Sequence, residues 1–147
     1  MATRPNFDAF DPAIAQRLVG RVGKTGIDAY LGIVLDEMGP GTLRAHFDVR
    51  DELVTAYGSM HGGCLSAFAD HCLGMILYPL MAEGSWAATT EFKVNLVAAV
   101  TKGTCTASAE VIAMSRRLAV VRIDIENEGR PVAFAQGTCT IVAPKGV

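Results

Sequence analysis

The strongest constraint on the fold is one long apolar stretch, residues 62–81, followed after Gly84 by sequence that reads as strand to the end. Residues 86–97, 104–114, 118–126 and 131–142 form four long segments of strand character. Alternation is clearest where Val120, Arg122, Asp124 and Glu126 interleave with Val121, Ile123 and Ile125. Glu128-Gly129-Arg130-Pro131 supplies the turn between the last two. Ahead of the long helix, residues 30–38 and 42–49 flank Gly39-Pro40-Gly41, a hairpin signal. Residues 8–22 place Phe10, Ile14, Leu18 and Val22 at four-residue spacing, which predicts a short amphipathic helix, and Gly20, Gly23 and Gly26 loosen the chain after it. The order is helix, two strands, one long helix, four strands. It predicts an α+β fold in which an antiparallel sheet wraps around one central helix.

On an ideal wheel Leu65, Phe68, Ala69, Cys72, Ile76 and Leu80 share one wide face, expected to lie against the sheet. The opposite face holds Gly63, Ser66, Ala67, Asp70, Gly74 and Leu77. Asp70 is the anomaly. No Lys or Arg lies within four residues of it, and a carboxylate among apolar neighbours costs stability unless it is hydrogen-bonded or has a chemical task. Small residues around it leave room for a ligand or a second subunit. The pair Gly62-Gly63 opens the helix, where unpaired N–H groups and the positive end of the dipole suit an oxyanion or a polarised carbonyl.

Composition narrows the function. At 147 residues, 50% hydrophobic and with a net charge of −2, the chain is one globular domain with no general attraction for nucleic acid or an anionic membrane. Cys64, Cys72, Cys105 and Cys139 form no CxxC pair, and the first ten residues carry no apolar run. A reduced cytoplasmic protein with free thiols is expected. Asp70, His71, Gly74 and Pro79 break the long helix as a membrane span. His61, Cys64 and Cys72 share a helix face, but the cysteines fall in the apolar stripe, so no metal is expected. His71 is about 100° from Asp70 on the wheel, which argues against a His–Asp dyad. Gly23-Lys24-Thr25 lacks the first glycine and the strand of a phosphate loop, and Gly58-Ser59-Met60-His61-Gly62 is not a nucleophile elbow.

His61-Gly62-Gly63 preceded by a loop, Asp70 nine positions after the histidine, and four strands beyond the helix together resemble the hotdog-fold thioesterases, most closely the phenylacetate-degradation-type branch. The resemblance spans roughly residues 28–144. It divides the chain into an N-terminal helical extension, 1–27, and a hotdog domain, 28–147. It implies hydrolysis of acyl-CoA without metal or cofactor, by a homodimer or a dimer of dimers whose sites are shared between subunits. Gly62 matches the glycine whose N–H polarises the thioester carbonyl, with Gly63 beside it at the substrate. Asp70 matches the carboxylate that attacks the carbonyl or activates water, and His61 the histidine that shapes the loop. Thr89 matches a hydroxyl supplied by the neighbouring subunit to position water. Thr55 stands where this branch usually has Asn, with one donor fewer and a shorter reach.

Arg116 and Arg117 at one strand turn, and Lys102 at the preceding one, are read either as a solvated basic rim or as contacts for the CoA phosphates. Phe68, Leu73, Met75, Leu77, Tyr78 and Trp86 are compatible with an aryl or a medium-chain acyl group. The alternative to a thioesterase is a non-catalytic acyl-CoA-binding or regulatory protein on the same fold. A hotdog hydratase or dehydratase is disfavoured because the catalytic histidine of those enzymes, used with a separate acid or Asn, does not map onto His61 and Asp70.

Overall fold

The computed structural model describes residues 5–144. Helix α1, Pro12–Leu18, starts where Asp11 accepts hydrogen bonds from the N–H groups of Ala13 (2.8 Å) and Ile14 (3.3 Å), with proline at the first helical position. It is shorter than the expected 8–22, because cap and proline fix its start and the chain turns extended at Val19. A second helix, α2, Gly26–Leu31, was not expected. It ends on Gly32 in the left-handed region at φ 73°, and it delays the first strand from residue 30 to Val34. The helix straddles the expected boundary between residues 27 and 28.

Strand β1 (Val34–Gly39) and β2 (Thr42–Asp48) form the anticipated hairpin, with Gly41 at φ 72°. The central helix, α3, is Gly62–Met75. It is followed by β3 (Trp86–Leu96), β4 (Thr104–Met114), β5 (Leu118–Asn127) and β6 (Arg130–Val142). The six strands make one sheet in the order β1-β2-β4-β5-β6-β3, antiparallel throughout. Glu128 and Gly129 at φ 50° and 80° make the tight β5–β6 turn. The chain therefore has the hotdog architecture: a sheet curved around α3, with β3 at one edge.

The face of α3 expected against the sheet is there. Leu65, Phe68, Ala69, Cys72 and Ile76 are each exposed by 3% or less, and Phe68 meets Phe47 of β2 edge-on, centroids 4.9 Å apart. The α-helix stops short of residue 81. Pro79 disfavours helical geometry at Tyr78, and the chain passes through a looser turn into a 3₁₀ segment, Tyr78–Leu80. This loss of the helical period turns Leu77, assigned by the wheel to the open face, into the core, where it is fully buried. The apolar run Gly62–Leu80 is 19 residues long, but half of it is buried within the protein's own core.

Candidate active site

The loop before α3 is pinned at both ends of the turn it makes. Val54 and Met60 form an isolated bridge, the Met60 N–H donates to Val100 O (2.7 Å), and the His61 N–H donates to Leu53 O (2.9 Å). His61 then caps the helix, its Nδ1 accepting the Gly63 N–H at 2.8 Å. An accepting Nδ1 leaves the proton of the neutral ring on Nε2. Gly63 is required for this cap, since a Cβ there would lie 2.7 Å from His61 Nδ1. The Gly62 N–H meets no acceptor among the described residues. One of the two glycines thus serves the helix, and the other leaves a donor open.

Asp70 lies a little over two turns further along. One of its carboxylate oxygens, Oδ1, is buried with no hydrogen-bond partner, and no salt bridge among the described residues includes it. The flank around it is half-open, with Ser66, Ala67 and Gly74 as its small neighbours. Ser66 turns its hydroxyl back to donate to Gly62 O at 3.1 Å.

Thr89 pairs across the sheet with the fully buried Cys139, so both point to the helix side. The Thr89 hydroxyl is 3.8 Å from Cys139 Sγ, and that thiol also donates to Leu73 O at 3.7 Å. Burial pushes the Cys139 thiol up, the Thr89 hydrogen bond opposes this, and the charge of Asp70 adds to it. Cys139 therefore links Thr89 to the Asp70 flank of the same chain. Burial likewise raises Cys64 and Cys72, and takes Cys105 to about 11. At all four cysteines burial thus disfavours the thiolate, the nucleophilic form.

Thr55 spends its hydroxyl within its own loop, donating to Ser59 O (2.9 Å) and accepting the Tyr57 N–H (3.3 Å). Of the three cations noted in sequence, Lys102 follows Val100 at the Gly62 end of the sheet. Arg116 and Arg117 are at the opposite end, where Arg117 O accepts from the Ile141 N–H beside the start of β3. Ala87, opposite Ile141, is nine positions before Leu96 at the Gly62 end, about 30 Å of strand. The structure does not bring these arginines to Gly62 of their own chain.

A cleft of about 320 Å³ adjoins the helix start, lined by Met60, Gly62, Leu65, Leu96 and the segment from Val97 to Val100. Sequence reasoning missed Leu96, one apolar residue in a strand of many. It missed Cys139 as well, which read only as a free thiol.

A family model described as "Thioesterase superfamily" matches residues 57–134. A Mycobacterium tuberculosis protein carried under a provisional esterase name is 27% identical over 113 residues, covering 74% of this chain and 81% of that protein. Its solved structure superposes with a TM-score of 0.76 at 26% identity, covering 80% of this chain and 97% of that one. A thioesterase from Haemophilus influenzae gives 0.77 at 22% identity over 97% of this chain and 95% of that one. A thioesterase family protein from Silicibacter pomeroyi gives 0.74 at 27% over 81% and 90%.

Proposed function

The chain belongs to the thioesterase superfamily and is a thioester hydrolase, and from that premise we propose that it hydrolyses an aryl- or medium-chain acyl-CoA to the free acid and CoA. The observation that carries the reading is the buried, unpartnered Oδ1 of Asp70 on a flank of small residues. A carboxylate oxygen buried without a partner is costly to keep, and such a group suits a nucleophile or a general base for water. The open Gly62 N–H supplies the oxyanion donor. His61 fixes that donor's position by capping the next one, Thr89 positions the water, and Thr55 holds the loop. The spacing of His61-Gly62-Gly63 and Asp70 supports the phenylacetate-degradation-type branch, with residues 1–27 as an extension to a catalytic domain of 28–147 in a cytoplasmic enzyme.

Helix geometry favours a shared site. Asp70 is eight positions after Gly62 on α3, a rise of about 12 Å. A carbonyl held at Gly62 is then beyond direct attack by Asp70 of the same chain. β3, eleven residues long, is an unpaired edge with Trp86, Phe92 and Leu96 exposed, an open template for a second copy. In this reading a two-fold dimer sets the Gly62 N–H of one subunit opposite Asp70 of the other. Lys102 is the nearer cation for the CoA phosphates, and Arg116 and Arg117 reach a substrate only through the second subunit.

Two experiments test the reading. A panel of aryl, short-chain and long-chain acyl-CoAs, assayed with the wild type and Gly62→Val, should reveal turnover that the valine abolishes while circular dichroism is unchanged. Mixing Asp70→Asn with Gly62→Val under subunit exchange should restore activity to about a quarter of wild type, because random exchange leaves a quarter of the sites intact. No recovery despite proven exchange refutes the shared site. Mixing Asp70→Asn with Thr89→Ala asks the same of Thr89: recovery assigns it to the neighbouring subunit's site, as the family resemblance implies, and none assigns it to its own chain's.

A further inference from the structure

The room left by the missing side chain of Gly62 is already occupied. A Cβ built there would overlap Leu96 Cδ1, so the leucine tip lies over the glycine whose N–H is open. Leu96 pairs with the fully buried Ala133, which sets both on the helix side of the sheet. It is nevertheless 52% exposed, because β3 is the sheet edge. It is also the last residue of its strand, and it lines the same cleft as Gly62. A side chain with one half in water and its stem at a strand end can change rotamer without opening the core.

Resting on the acyl-CoA thioesterase reading above, we propose that Leu96 is the apolar cover of Gly62 and determines specificity for the group next to the thioester carbonyl. A carbonyl oxygen that accepts the Gly62 N–H sits about 2.9 Å from the nitrogen. In the proposed pose the α-carbon of the acyl group lies on the Leu96 side of the carbonyl, in the cleft that Leu96 and Gly62 both line. A straight chain presents only a CH₂ there, whereas an α-branched acyl group presents an extra methyl that competes directly with the leucine. When Leu96 swings aside the carbonyl reaches its donor, and against a bound substrate the same side chain keeps water from that N–H.

The test compares a straight-chain acyl-CoA with its α-methyl-branched isomer, using wild type, Leu96→Ala and Leu96→Phe. Leu96→Ala should raise the branched-to-straight ratio of kcat/KM roughly tenfold, the scale of a methyl-sized change in an apolar pocket, and Leu96→Phe should lower it. Both variants should melt near the wild-type temperature, since the side chain is half exposed. If the two ratios stay within about twofold of wild type, a change too small for a methyl-sized pocket effect, the inference fails and the thioesterase reading stands. A folded wild-type protein that hydrolyses no acyl-CoA instead overturns that reading and the inference with it.

Discussion

The two faces of α3 are built to opposite rules. Toward the sheet, Leu65, Phe68, Ala69, Cys72, Leu73 and Ile76 are sealed at 3% exposure or less, in a layer where every side chain has apolar neighbours. Toward the open flank, Ser66, Ala67, Asp70 and Gly74 leave space, and the one charged group keeps a buried oxygen unpaired. The first face stabilises the fold by burial. The second forgoes stabilisation that a leucine or a paired polar group would give, which is the expected mark of a surface kept for chemistry or for another subunit.

The sharpest way to break this contrast is to damage each face separately. Phe68→Ala removes a ring that is fully buried against Phe47 and should cost about 3–5 kcal/mol by denaturant titration, with turnover per folded molecule nearly unchanged. Asp70→Asn keeps the shape and should do the reverse. Turnover should fall at least about 100-fold, the scale for losing a general base, while the melting temperature holds or rises because the buried, unpartnered oxygen no longer carries charge. Near-normal turnover in Asp70→Asn would mean the open flank is only a packing feature.

The sealed face was legible in the sequence because burial follows periodicity, and five strands of the sheet, β2 to β6, were legible to within a residue or two. Errors came where local chemistry overrode the period. Asp11 and Pro12 cut α1 short, Gly32 allowed a helix where three glycines had suggested only a loop, and Pro79 unwound α3 and buried Leu77. Asp70 stood out because its charge has no neighbour in sequence. Leu96 did not, because its meeting with Gly62 depends on the register of an edge strand against a helix start, and no pattern within either segment encodes that.

A smaller effect belongs to the helix start, where one side chain serves both faces. The His61 Nδ1 bond to the Gly63 N–H is an N-cap. His61→Ala should therefore cost about 1 kcal/mol and loosen the donor at Gly62, raising KM as well as lowering kcat. His61→Asn restores a capping oxygen and should recover the stability. If it recovers the melting temperature but not turnover, the imidazole acts on the substrate and not solely through the helix.

The smallest effect is at the boundary between the faces. His71 lines a cavity of about 500 Å³ between α3 and the N-terminal segment, with Arg21, Lys24 and Asp28 among its walls. Burial lowers its pKa, and the charges of Asp28 and Asp70 oppose that shift without cancelling it. Between the ordinary value of 6.5 and the lowered one, the unfolded chain binds a proton that the folded chain refuses. Stability therefore falls as pH drops through that window and recovers above it. His71→Gln removes the titration and keeps a polar side chain. The melting temperature of wild type should accordingly drop more than that of the variant between pH 7 and pH 5, with His46 and His61 common to both. Parallel curves would mean that the cavity admits enough water to solvate the imidazolium, and that the boundary belongs with the open flank.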